Sequence, residues 1–324
     1  MSRHITLGPG AEFDAVRALL DKWGTAAIGI GDDAALLDVP PGDRLVVSTD
    51  SSVETVHFRR EWLSSEEIGW RATMAALSDL AAMGASPLGV LLALTVPRSW
   101  RGELPALAAG IGEAVSKHAA PIVGGDVSDG DRLALTITVL CHTRAPLARS
   151  GARAGDSLFV TGALGGPGAA LQAWLSGGTP TAADRARFAR PDARITAGRW
   201  LAAHGAHAAI DLSDGLGGDV RHVAAASGVR CVLLLDAIPR VAGVSIAQAL
   251  SSGEEYELLV AAPVSDAAKF SAEFAAANDG LTLTAVGRVE AMHDGADVVA
   301  EQAGLRVAMP SSARAFDHFA APER

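Results

Sequence analysis

Seven aspartates carry most of the chemistry this sequence could do. Asp32 and Asp33 sit in the glycine turn GIGDD, and Asp50 closes the apolar run RLVVSTD. Asp79 lies in LSDLAAMGA, Asp126 in VGGDVSDG, and Asp211 and Asp214 in IDLSDGL. Brought together without counter-charge, two carboxylates about 5 Å apart repel by about 3 kcal/mol at an effective dielectric of roughly 20. A fold that gathers several of them therefore needs bound cations, and hard oxygen ligands at this density point to Mg²⁺ shared with phosphates. Lysine occurs only at Lys22, Lys117 and Lys269, and none follows a glycine-rich turn, so there is no P-loop. The kinase Asp-Phe-Gly and His-Arg-Asp sequences, a serine nucleophile elbow and a His-Glu-x-x-His zinc signature are also absent. If the chain handles ATP, metal ions must carry most of the phosphate charge, helped by Arg149 and the amides of the glycine-rich stretches.

Single motifs are weaker than the set. Gly29-x-Gly31-x-x-Ala34 formally matches a dinucleotide fingerprint, but Asp32 and Asp33 would repel the pyrophosphate. DVSDGDRL lacks the glycine at position six and the acid at position twelve of a calcium loop. Asp211 and Asp214 also suit turn and helix N-cap positions, Asp214 beside Gly215 more so. Among nine histidines, His57 stands out because it follows STD within SSVETVHF. Phe316 and His318 would ordinarily belong to a tail packed on the core.

The elements that must position these residues follow from composition and periodicity. The chain has 324 residues, 49% of them hydrophobic, enough for a large core and two domains. A net charge of −10 argues against nucleic acid or an anionic membrane as partner. The N-terminus lacks a signal-peptide core, and the longest apolar run, Leu88 to Val96, is too short for a bilayer, so a cytoplasmic protein is expected. Cys141 and Cys231 lie in apolar runs and read as buried reduced thiols. A first amphipathic helix is expected over 11–23, and Ser64 with Glu67 opens a second that stops at Gly84. Asp79 falls near the C-terminal end of that second helix, against the dipole, where a partner cation would help. Strands are expected at RLVVSTD, 88–96, 133–141, SLFVTG, AAIDLS, CVLLL and near Leu283 and Val298. Helices are expected from about 104, 182, 193, 214 and 266, and ALGGPGAA reads as a loop. The mixture without a βαβ rhythm favours two α+β domains, 1–148 and 149–324, joined at RSGARAGD.

Taken in order, GIGDDAALL, VSTDSSVETVHF, LSDLAAMGA, VGGD, RSGARAGD, VTGALG, AIDLSDGL, GEEYELL and FDHF resemble thiamine-monophosphate kinases, members of the aminoimidazole ribonucleotide synthetase superfamily. The resemblance runs from about Gly29 to Phe319. It implies ATP-dependent phosphorylation of thiamine monophosphate to thiamine diphosphate with several Mg²⁺ ions. It also implies a homodimer whose N-terminal sheets pair, with ATP and substrate meeting between the domains. By motif, the metal ligands would be Asp33, Ser48, Thr49, Asp50, Asp79, Asp126, Asp211 and Asp214. Gly125, Asp126, Arg149, Ser213 and Asp33 would form the ATP site. His57, Glu254 and Phe316 would hold the thiamine moiety, the ring of Phe316 against a cationic thiazolium. A substrate phosphate oxygen is already anionic, so direct in-line transfer needs no general base.

The sequence departs from the family pattern near the acceptor. Ala76 stands where the family usually has Asn, and Val127 and Ser128 replace the threonines of GGDTT. Thr55 replaces a glycine, and Glu255 an aspartate. Another acceptor within the superfamily, or a non-catalytic regulator that binds ATP and Mg²⁺, are the competing expectations. The reactive terminal cysteines of selenide-activating and hydrogenase-maturation relatives are missing.

Overall fold

The computed structural model describes residues 11–31, 34–292, 295 and 297–310. Asp33 and Phe316 therefore lie outside the described residues. The chain divides into two compact units, one of residues 1–80 and 85–144, the other of residues 81–84 and 145–324.

The first unit contains α1 (Ala11–Trp23), β1 (Arg44–Val53), most of α2 (Ser65–Ala82), β2 (Ser86–Thr95), α3 (Leu104–Lys117), β3 (Ile122–Ser128) and β4 (Ala134–Thr143). Its sheet has the order β1-β4-β2-β3, with β2 and β3 parallel and the other pairs antiparallel. The expected capping box opens α2: Ser64 N–H donates to Glu67 Oε2 at 2.8 Å and Glu67 N–H to Ser64 Oγ at 3.2 Å. The expected stop also forms. Gly84 has φ +61, and Ala85 N–H reaches back to the Leu80 carbonyl at 3.0 Å, closing a Schellman turn.

Helices cover one face of this sheet. Leu135, Ile137, Val139 and Cys141 of β4 are fully buried on it, with Val90, Leu92 and Leu94 of β2, while α2 and α3 contribute Met74, Leu77, Leu107 and Ile111. The two helices touch through glycine. A Cβ on Gly110 would stand 1.9 Å from the Glu66 carbonyl oxygen, so no larger residue fits there. The other face is open: Leu45 and Val47 of β1 are 51% and 54% exposed.

The second unit holds β5 (Ser157–Thr161), α4 (Gly166–Leu175), α5 (Ala182–Ala189), α6 (Ile195–Ala203), β6 (Ala208–Asp211), α7 (Leu216–Ser227) and β7 (Val229–Leu234). It continues with α8 (Ile246–Ser251), β8 (Leu258–Ala262), α9 (Ala267–Ala277), β9 (Leu283–Ala291), β10 (Val298–Gln302) and β11 (Leu305–Val307). They form a seven-stranded mixed sheet of order β11-β10-β7-β9-β5-β8-β6. Its core packs Leu158, Val160, Ile210 and Leu259 from the strands against Leu216, Val220 and Val223 of α7.

Three local expectations change. ALGGPGAA is not simply a loop, because Gly166 begins α4 with Pro167 in the first turn, where its missing N–H costs nothing. The short α8, opened by a Ser245–Gln248 capping box, was not expected. Nor was the β10–β11 hairpin, whose Ala303 and Gly304 have φ +49 and +77, as a two-residue turn between twisted strands requires.

Candidate active site

In the first unit the alternation of β1 sorts the predicted ligands. Ser48 and Asp50 stand opposite the buried Val139 and Ile137, on the helix-covered face. There the Ser48 hydroxyl donates to the carboxylate of Asp79, brought in by the last turns of α2. Asp50 Oδ1 accepts the N–H of Ser51 at 2.8 Å. Thr49 points the other way, its hydroxyl bonded to that of Thr138 on the open face. Asp126 also belongs to the open face, since it pairs with Ala93, which pairs with Thr136. β1 and β3 are opposite edges of the sheet, three spacings of about 4.8 Å apart, or about 14 Å. Ser48 and Asp79 are thus brought together, with Asp50 two residues along on the same face of β1, and Thr49 and Asp126 are not brought to them. Gly125 and Asp126 are both exposed on the edge strand.

His57 closes the loop that follows β1. Its Nδ1 accepts the Val53 N–H at 3.1 Å, which leaves the proton on Nε2 of the neutral ring. Thr55, at the position where the family has glycine, has φ +69, and its hydroxyl accepts from Arg132 at 3.0 Å. Glu54 braces the loop from below by accepting Trp100 Nε1–H at 3.0 Å, and Phe58 is fully buried edge-on against the same indole.

In the second unit β6 ends at Asp211, which is 5% exposed, and the turn Leu212–Asp214 leads to Gly215 at φ +107. Gly215, not Asp214, is the N-cap of α7, with no side-chain cap bond, so the alternative of a simple aspartate cap does not hold. Asp219, one turn into α7 and fully buried, accepts the N–H groups of Gly215 at 3.1 Å and Asp214 at 3.3 Å through Oδ2. Burial, then the neighbouring Asp211 and Asp214, push its carboxyl up to about 8. Asp214, Asp219 and His222 each offer a ligand atom, all within 4.8 Å of one another. Two carboxylates and an imidazole this close are a donor set that fits a divalent cation. Asp219 was not singled out from the sequence. The signal was there: Asp219 and His222 are spaced i, i+3 on the first turns of the helix that DLSDG opens.

Ser213 and Arg149 belong to opposite ends of α7, Ser213 just before its N-cap and Arg149 against its last residue, Ser227. Ser213 gives its carbonyl to the Glu254 N–H at 2.6 Å, and Arg149 is exposed, its carbonyl accepting from Ser227 Oγ at 2.7 Å. Glu254 and Tyr256 are both left-handed, φ +63 and +53, uncommon for residues with side chains. Between them Glu255 turns inward, where burial pushes its carboxyl up to about 7 against the opposing bonds from Ser252, Gly165 and Arg187.

Family models describe both units. The AIR synthase related protein N-terminal domain matches residues 31–144, and the AIR synthase related protein C-terminal domain matches residues 153–299. The thiamine-monophosphate kinase of Salmonella typhimurium is 33% identical over 96% of this chain and 99% of its own. The chain belongs to the thiamine-monophosphate kinase family. The crystal structure of the family member from Stenotrophomonas maltophilia superposes with a TM-score of 0.78 at 33% identity, covering 94% of this chain and 99% of that one. AaThiL complexed with AMPPCP and TMP superposes at 0.73 with 28% identity, covering 95% and 97%. No helix among the described residues is long and apolar enough to cross a membrane.

Proposed function

We propose that this chain transfers the γ-phosphoryl group of ATP directly to the phosphate of thiamine monophosphate, giving thiamine diphosphate and ADP in the cytoplasm. The carrying observation is family membership over nearly the whole chain, together with carboxylates that are unfavourable unless a cation joins them. A phosphate oxygen of the acceptor attacks phosphorus, and the bond to the β–γ bridging oxygen breaks with its electrons staying on ADP. The acceptor is already an anion, so no side chain need remove a proton. Ser48, Asp50 and Asp79 in one unit, and Asp211, Asp214 and Asp219 in the other, are the residues that would hold Mg²⁺. Bound Mg²⁺ supplies neutralisation of the phosphate charge. Asp33, Gly125, Arg149 and Ser213 serve the nucleotide, while His57, Glu254 and Phe316 serve the thiamine end. Purified protein with ATP and Mg²⁺ should form thiamine diphosphate from thiamine monophosphate. ADP release only with other phosphorylated acceptors would reject this assignment.

The working unit in this proposal is a homodimer joined through the open face of the four-stranded sheet. An ion that holds each oxygen at about 2.1 Å cannot join Asp50 and Asp126 of one sheet across about 14 Å. A second copy placed over the open face can bring its Asp126 to the first copy's β1 edge. The apolar pair Leu45 and Val47 supports burial there. Val47→Asp should shift the protein from dimer to monomer in sedimentation equilibrium and lower turnover at least about tenfold, since it puts an unpaired charge into the contact. A variant that stayed dimeric at micromolar concentration would place the interface elsewhere.

A further inference from the structure

The second unit contains a cluster of two buried glutamates and two half-buried arginines that none of the assigned site residues belongs to. Glu257 takes Arg194 in a paired fork, Nε to Oε2 at 2.8 Å and Nη2 to Oε1 at 2.6 Å, and also accepts the Thr161 hydroxyl at 2.6 Å. Glu255, two residues earlier and on the same side, accepts the Ser252 hydroxyl at 2.6 Å and the N–H of Gly165 through Oε1. Its Oε2 faces Arg187 Nη2 at 3.4 Å. Arg187 also donates to the Ala163 carbonyl, while its Nε is buried with no acceptor. Ser252 Oγ in turn accepts the N–H of Gly168 at 3.0 Å.

These bonds join two pieces of backbone. One is the glycine turn between β5 and α4, where Gly162 and Gly165 have φ +63 and +104. The other is Gly253–Tyr256, which carries Glu254. The main chain of that second piece folds back on the 212–213 turn, with Glu254 N–H donating to the Ser213 carbonyl at 2.6 Å and Leu212 N–H to the Glu257 carbonyl at 2.8 Å. The N–H groups of Glu255 and Tyr256 share one acceptor, the Leu212 carbonyl, at 3.1 and 3.0 Å. Two left-handed non-glycine residues in three cost about 1–2 kcal/mol each and persist only where surroundings over-determine them. Beside these backbone bonds, the side chain that does so is the one between them. Glu255 is inserted fully inward and receives three donors, so the peptide units on either side cannot relax without breaking charge-assisted bonds in a dry site.

We infer that Glu255 is a positioning residue for thiamine monophosphate binding: through Gly165, Ser252 and Arg187 it locks the left-handed conformation that presents Glu254. The inference rests on the proposal that Glu254 contacts the thiamine end of the acceptor. It also gives a role to the longer side chain found where the family usually has aspartate. The extra methylene lets the carboxylate span from the Gly253–Tyr256 segment to the Gly165 amide.

The test is steady-state kinetics of full-length Glu255→Gln, Ser252→Ala, Arg187→Met, Glu255→Asp and Glu254→Gln, with melting temperature recorded for each. Glu255→Gln places an amide donor against Arg187, and Ser252→Ala removes one donor with little change in volume. Both should raise KM for thiamine monophosphate about tenfold and leave KM for ATP within about twofold. Glu255→Asp, which keeps the charge but is one methylene short of the Gly165 amide, should also raise KM for thiamine monophosphate, by less than Glu255→Gln. Ser252→Ala is the informative variant if Glu255→Gln does not fold. A fall in melting temperature with both KM values unchanged, while Glu254→Gln still raises KM for thiamine monophosphate, would overturn the positioning role alone. If Glu254→Gln also left that KM unchanged, the assignment of Glu254 to the acceptor would fall and this inference with it.

Discussion

Asp50→Asn should lower turnover by at least about 10²–10³-fold while leaving the fold and the dimer intact. Asn keeps the shape and can still accept the Ser51 N–H, so β1 and its pairing to β4 lose nothing. What disappears is one negative charge on the face of β1 that carries Ser48, opposite Thr49. Phosphoryl transfer without a base depends on positioning and charge neutralisation, so the loss belongs to kcat more than to KM. The strand order adds a sharper form of the experiment. If Asp126 serves the site of the other copy, Asp50→Asn and Asp126→Asn chains are each inactive alone. Mixed and exchanged, they should recover up to about a quarter of the wild-type rate, because half of the dimers are then mixed and each has one intact site. Near-normal activity of Asp50→Asn, measured as thiamine diphosphate formed, would remove the metal assignment. Absence of any recovery on mixing would remove only the shared-site geometry.

Asp219→Asn should make the metal-free protein more stable at pH 8 and blunt its response to Mg²⁺. The wild-type carboxyl stands at about 8 in the folded chain because burial and its acidic neighbours disfavour the charge. A pKa raised on folding leaves stability untouched at low pH, where both states are protonated. Stability is then lost as pH rises above the unfolded value near 4, by up to about 1.4 kcal/mol per pH unit, and the loss levels off above about 8. Asn cannot ionise and can still accept the Asp214 and Gly215 N–H groups, so the difference between variant and wild type should grow over that window. Mg²⁺ binds the ionised form, so saturating metal should flatten the wild-type slope and raise its melting temperature. The variant should show a much smaller rise. Parallel pH profiles for the two metal-free proteins would show that Asp219 is not the group being held neutral.

Buried cysteine needs no function here. Burial raises the thiols of Cys141 and Cys231 to about 12, so neither is a nucleophile at neutral pH. That agrees with the sequence, where both sit inside strand-forming apolar runs.

Local signals determined a great deal of this protein. The Ser64–Glu67 box and Gly84 set both ends of α2, because caps and left-handed stops are satisfied within a few residues of themselves. Apolar runs placed strands at RLVVSTD and 133–141, and the order of nine acidic and glycine-rich motifs indicated the family. Period and spacing do not say which strand lies next to which. That Asp50 and Asp126 stand on opposite edges and opposite faces of one sheet follows from the order β1-β4-β2-β3, which long-range pairing alone decides. Asp219 escaped notice for a related reason. In sequence it is one more polar residue in a helix, and only the turn back of Asp214 and Gly215 onto its carboxylate, with the core closing around it, makes it a buried charge. The same holds for Glu255, whose inward direction is set by two left-handed neighbours and by a glycine turn 90 residues away in the chain. Residue types supplied the chemistry, and tertiary packing decided which of those groups lost their water and therefore need a partner.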